Sequence, residues 1–230
     1  MAFPSGWIRR CSLTISHTNV DADLTAFTVI LTKDSLPSEM FDADGSYPAL
    51  NGGGDIRFSA DAAGTTQLPC DIRTFTTDNN PANGVADIAV KTNLSGTSDT
   101  VIYVWYNKAG ETQPAANDTY GQYNAYDANM TVWDGRSLDS RTTTVRTLTA
   151  VGNASYNNLD SGHRYFNFDG VDDGMYVAAW RTAAPLVIHG LMYVDPASGP
   201  VLIWNGDSNL GGWSAFYCSA VVGTGNFSAG

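Results

Sequence analysis

In the thirteen residues from Tyr165 to Val177, apolar and polar side chains alternate into an acidic turn and alternate out of it again. A period of two belongs to pleated backbone, whose successive side chains face opposite sides, whereas a helical face repeats about every 3.6 residues. The pattern breaks at Asp169-Gly170 and resumes at Met175-Tyr176-Val177, so it reads as the edge of an all-β sandwich.

The same punctuation runs through the rest of the chain. Strands are expected over Trp7–Ile15, Leu24–Leu31, Asp55–Phe58, Gln67–Phe75, Val85–Val90 and Thr100–Tyr106, with turn formers between them. Pro69 marks an edge or a bulge, because proline donates nothing to a ladder. Tyr103, Trp105 and Asn107 share one face of their strand and Val104 and Tyr106 the other, as in an inner strand covered on both sides. Only Leu36–Phe41 suggests a turn of helix. From Asn107 to Asn129 the composition shifts to Ala, Asn, Gln, Gly, Tyr and Pro, which reads as a connection wrapping over a surface. A second series follows at Arg141–Val151, Arg164–Phe168, Met175–Ala179, Leu186–Val194, Val201–Trp204 and Trp213–Val222. The expected fold is therefore all-β and mostly antiparallel, with two β-sandwich units of jelly-roll or concanavalin A-like type, at 1–128 and 129–230.

Charge and composition narrow the function. A net charge of −11 with 12 scattered basic residues repels phosphate backbones and excludes a nucleic-acid partner. No apolar run approaches the roughly 20 residues of a membrane-spanning helix, so no membrane insertion is expected. Three distant cysteines, Cys11, Cys70 and Cys218, fit neither a disulfide scaffold nor a structural zinc site. Met1–Trp7 carries neither a basic nor an apolar signal region, so synthesis without export is expected.

Catalytic constellations are missing from the pattern. The two glutamates, Glu39 and Glu111, do not sit where they would face each other across a cleft. His17, His163 and His189 have no Gly-x-Ser-x-Gly elbow beside them. Gly52–Gly54 lacks the lysine and helix of a phosphate loop. The expectation is a protein that is not an enzyme.

Two further sets carry binding chemistry. Asp169, Asp172 and Asp173 are spaced to place carboxylates on one Ca²⁺ ion; the alternative is an acidic turn whose aspartates cap their own backbone. Tyr120, Tyr123 and Tyr126 lie in the polar connection, where their rings would form carbohydrate-binding platforms or a subunit contact.

Phe168-Asp-Gly-Val-Asp-Asp173 resembles the signature near the start of laminin-G or concanavalin A-like lectin domains. Trp7-Ile-Arg-Arg10, Asp21-Ala-Asp-Leu-Thr-Ala-Phe27, Gly54-Asp-Ile-Arg-Phe58, Asp61–Leu68 and Asp99–Asn107 resemble a family of domains of unknown function. Such domains precede those lectin-like domains in bacterial surface proteins and phage virion proteins. Lectin-like domains run longer than the 60 residues that follow Gly170. The second unit is thus expected to be abbreviated, or to continue into a longer fibre. The resemblance implies a non-enzymatic virion protein in a tail fibre, tail tip or capsid-surface appendage. Other virion proteins, further copies of the chain (a trimer in fibre-like proteins) and a host surface glycan would be its partners. The alternative is a bacterial cell-surface carbohydrate-binding module.

Overall fold

The structure is a computed structural model that describes residues 3–127, 130–160, 163–168, 172–176, 201–206, 213–219 and 226–229. Among these residues helix is limited to short 3₁₀ turns, and the sheets are antiparallel, so the chain is all-β. It divides into two compact units. The first comprises Met1–Asp134, Ser140–Val145 and Leu159–His163; the second comprises Gly135–Asp139, Arg146–Asn158 and Arg164–Gly230.

Seven strands build the first unit: β1 (Arg9–Ile15), β2 (Leu24–Thr32), β3 (Arg57–Ser59), β4 (Gln67–Leu68), β5 (Cys70–Thr76), β6 (Val85–Leu94) and β7 (Thr100–Tyr106). They form a four-stranded sheet, β1-β7-β3-β4, and a three-stranded sheet, β2-β6-β5. The alternation read from sequence has a direct physical outcome. Ile88 and Val90 of β6 and Leu31 of β2 meet Phe58 of β3 and Ile102, Val104 and Tyr106 of β7 in one apolar core. Met40, Phe41 and Ala49 of the β2–β3 connection seal it. Each large side chain moved out of water here contributes about 1.5–3 kcal/mol.

All three residues of strand β3 are buried. Phe58 faces the core, while Ser59 lies under Trp105, whose Nε1 donates to Ser59 Oγ at 2.8 Å. The Trp105 ring is covered in turn by the edge of Phe3, at 5.5 Å, and by the Arg10 guanidinium, at 5.3 Å. At Trp105 strand β7 is thus covered on both faces, whereas Tyr103 is half-buried and Val101 exposed. The strand ends at Tyr106, as expected, since Asn107 has φ 61° and turns the chain. Its Nδ2 donates to the Pro48 carbonyl at 2.8 Å.

Pro69 separates β4 from β5, so one stretch of chain serves first one sheet and then the other. The Pro69 carbonyl accepts the Lys91 N–H at 3.1 Å, which fastens the crossing to β6. Gly53 allows the loop above β3 to close down on the core. Its φ is +71°, and a Cβ there would lie 2.8 Å from Ile72 Cγ2.

In the second unit, β8 (Thr149–Val151) pairs with β11 (Gly174–Tyr176), and β9 (Ser155–Asp160) with β10 (His163–Asn167). Strands β12 (Val201–Gly206), β13 (Trp213–Ser219) and β14 (Asn226–Ala229) form an antiparallel three-stranded sheet. The expected strand Arg141–Val151 is reduced to its last three residues. Its front part carries no apolar alternation and is held instead through the buried Arg141 side chain. Strand β9 went unforeseen because Ser-Tyr-Asn-Asn-Leu-Asp alternates only weakly. The expected strand Leu186–Val194 lies outside the described residues.

Phe41 is fully buried and stacks on Phe75 at 5.0 Å. Phe41→Ala is expected to destabilise the first unit by about 3–5 kcal/mol. A urea titration followed by tryptophan fluorescence checks this: the midpoint falls and the slope is retained.

Candidate functional site

The connection after β7 crosses the outer face of the three-stranded sheet, as its composition suggested. Small Ala89 on that face of β6 lets Ala125 and Tyr126 approach, and Val132 packs beside them. Thr28 Oγ1 donates to the Ala125 carbonyl at 2.8 Å, and Lys91 Nζ to the Tyr126 carbonyl at 3.1 Å. The Tyr126 ring is 3% exposed, and its hydroxyl donates to Asp71 Oδ2 at 2.6 Å.

Asp71 is the centre of this arrangement. Arg141 grips it with both prongs, Nε to Oδ2 at 2.7 Å and Nη2 to Oδ1 at 2.5 Å. Gln122 Oε1 accepts a further N–H from Nη2 at 3.0 Å, and Asp134 lies 3.2 Å from Nη1. Burial pulls the Arg141 pKa down, but hydrogen bonding and charge from Asp71 outweigh it, and the net shift is upward. Burial, reinforced by the Asp71 charge, pushes the Tyr126 hydroxyl upward, so it stays a neutral donor. Beside the pair is a cavity of about 110 Å³ lined by Cys70, Asp71, Gln113, Pro114, Gln122 and Arg141. Burial pushes the Cys70 thiol up to about 12, which keeps the thiolate nucleophile out of reach near neutral pH.

A second buried carboxylate, Asp55, fixes the opposite connections. Its Oδ1 accepts Leu50 N–H at 2.8 Å, its Oδ2 accepts Lys108 N–H at 3.0 Å, and its carbonyl takes the Trp7 indole N–H at 2.5 Å. Lys108 Nζ sits 3.8 Å from the centre of the Trp7 ring and 2.6 Å from Glu111. Arg57, 4% exposed, donates to the carbonyls of Ile56 and Thr112 at 2.8 and 2.5 Å. Desolvation lowers its pKa.

Of the residues singled out from sequence, Tyr120 is 37% exposed, Tyr123 is half-buried and Tyr126 is enclosed. The three therefore present no common open surface, and Tyr126 works as a strut. Asp169 lies outside the described residues. Asp172 is exposed, and Asp173 Oδ1 accepts Asn153 N–H at 2.7 Å, capping the turn of the neighbouring ribbon. No group of three metal-ligating side chains occurs among the described residues. His17 Nδ1 lies 2.7 Å from Asp99 at the end of β1. Sequence reasoning missed Asp55, Asp71 and Arg141. Arg141 opens a threonine run between Arg136 and Arg146, and no local signal marks it as the one that is buried.

No family model matches the chain, and no curated protein or solved structure is found to be similar to it.

Removing one partner of the Asp71–Arg141 pair strands the other without water. Asp71→Asn and Arg141→Met are each expected to cost about 3–5 kcal/mol, and the double variant less than their sum. A double-mutant cycle by chemical denaturation measures the shortfall. In native protein at pH 8, a maleimide is expected to label half-buried Cys11 and to spare Cys70 until denaturant is added; mass spectrometry of the digested peptides reads both.

Proposed function

We propose that this chain is a non-catalytic attachment or structural protein of a phage particle, in a tail fibre, tail tip or capsid-surface appendage, built from two sandwich-type units. The observation that carries the reading is the employment of the buried charges. Asp55, Arg57, Asp71 and Arg141 are each tied to backbone groups, to each other or to neighbouring side chains, and each holds a connection against a sheet. Charged groups spent in this way make rigid strand layers with anchored loops, which suits a part that must keep its shape while presenting a surface.

The resemblance of Trp7–Asn107 and of Phe168–Asp173 to domains of virion and bacterial surface proteins points the same way. Exposed Tyr156, Tyr165 and Phe168 in the second unit support association between copies of the chain. Fibre-like virion parts are symmetric homo-oligomers, and a trimer is the form expected here. Many weakly bound copies on one particle give strong adhesion through effective concentration.

Two measurements on the full chain test the proposal. Light scattering is expected to give a multiple of the 24.5 kDa chain mass. Fluorescently labelled protein is expected to sediment with bacterial cells and to be released when periodate destroys their surface glycans. A monomer that no bacterial surface retains, or polysaccharide turnover by the purified chain, overturns the proposal.

A further inference from the structure

At one end of the first unit, two polar side chains are aimed by the backbone and keep one atom each unspent. Between Leu24 and Phe27, β2 carries one residue more than β6. This bulge places Ala26 at φ 54°, a conformation that side chains with a Cβ rarely adopt. Asn93 holds the bulge, its Oδ1 accepting Ala26 N–H at 2.8 Å. Asp23 is held in the same manner, its Oδ1 accepting Gly96 N–H at 2.9 Å. Gly96 is needed for that approach, because a Cβ would lie 2.9 Å from Ala22 Cα. Each anchor uses a single oxygen. Asp23 Oδ2 and Asn93 Nδ2 have no partner among the described residues.

Both side chains line an open groove of about 340 Å³, together with Leu24, Thr25, Leu94 and Thr100. That is the size of a small-molecule site, which spans roughly 300–1,000 Å³. Thr25 Oγ1 also lacks a partner among the described residues. Thr100 Oγ1 accepts Ser95 N–H at 3.2 Å, so its own O–H remains able to donate.

We propose that this groove binds a neutral sugar, with Asp23 accepting from a ring hydroxyl and Asn93 donating to the same or the adjacent oxygen. A sugar hydroxyl is donor and acceptor at once, and a carboxylate oxygen beside an amide N–H₂ satisfies both capacities. The threonine hydroxyls extend the polar wall, and Leu24 and Leu94 offer apolar surface to ring C–H groups. Asp23 brings a negative charge, Asp21 precedes it by two residues, Asp99 directly precedes the groove residue Thr100, and no lysine or arginine lines the groove. An acidic sugar would meet uncompensated repulsion. A Ca²⁺ ion would find one carboxylate where it needs six to eight oxygens. Holding Asp23 and Asn93 in place before binding lowers the ordering cost.

The inference rests on the attachment reading and gives it a ligand class. Its test uses the full chain on an array of neutral and acidic oligosaccharides, followed by calorimetry with methyl glycosides of glucose, galactose, mannose and N-acetylglucosamine. Neutral glycans are expected to bind and acidic ones to be rejected. Asp23→Asn keeps the oxygen that caps Gly96 and replaces the free acceptor with a donor. Asn93→Asp keeps the oxygen that holds Ala26 and replaces the free donor with an acceptor. Each is expected to weaken sugar binding at least about tenfold, with an unchanged circular dichroism spectrum and cooperative melting retained. Unchanged affinity in both variants, a preference for acidic glycans, or cell binding without any glycan binding overturns the sugar site and leaves the attachment reading standing. A monomer that binds neither cells nor glycans overturns both, and an oligomer that binds neither overturns the sugar site alone.

Discussion

Asp71 sits at the outer face of a sheet with 2% of its surface in contact with water, and Arg141, 70 residues further along the chain, closes over it. A buried carboxylate without a partner costs several kcal/mol, so the two segments are committed to each other once the sheet has formed. Tyr126 completes the carboxylate's bonding, and through it the long connection after β7 is pressed onto Ala89 and the outer face of the sheet. Asp55 does the same for the loops before β3 and after β7. Hydrophobic burial makes the two layers; these carboxylates decide where the chain between them lies.

The layers themselves were legible in the sequence. Alternation marked β1, β5, β6 and β7 as strands, and in β7 Val104 and Tyr106 enter the core as one face, because a one-residue error would turn every apolar side chain to solvent. Pro69 was legible too, as a residue that cannot sit inside a ladder. What could not be read was pairing at a distance. Nothing local to Arg141 or Asp71 announces a partner, and the Thr-rich run around Arg141 resembles a strand until its guanidinium is buried. The tyrosines of the connection show the same limit. A polar neighbourhood suggests exposure, yet Tyr126 is enclosed because small Ala89 leaves room for it. The bulge at Ala26 was hidden as well, since its sequence, Leu-Thr-Ala-Phe, reads as ordinary strand.

The sparse cations are largely absorbed by the architecture. Arg9 pairs with Glu39, Arg73 with Asp87 and Lys108 with Glu111, while Lys33 and Lys91 donate to backbone carbonyls. Asp21, Asp34, Asp44 and Asp118 are exposed, so part of the acidity of the composition is displayed on the surface. Such a surface discourages contact with polyanions and favours ligands whose recognition runs through hydroxyl and amide groups.

The crossing at Pro69 has a mechanical meaning. Gln67 to Thr76 is a single run of covalent chain shared by both layers, so that margin behaves like the spine of a book. Shear between the layers is borne there by peptide bonds and by the Lys91–Pro69 hydrogen bond. On the opposite margin, β1 and β2 belong to different sheets and are joined by the longer chain between Ile15 and Leu24, which His17 ties to Asp99 and Asp23 to Gly96. Under load the unit would open from that margin first, and the pages would part without coming off the binding.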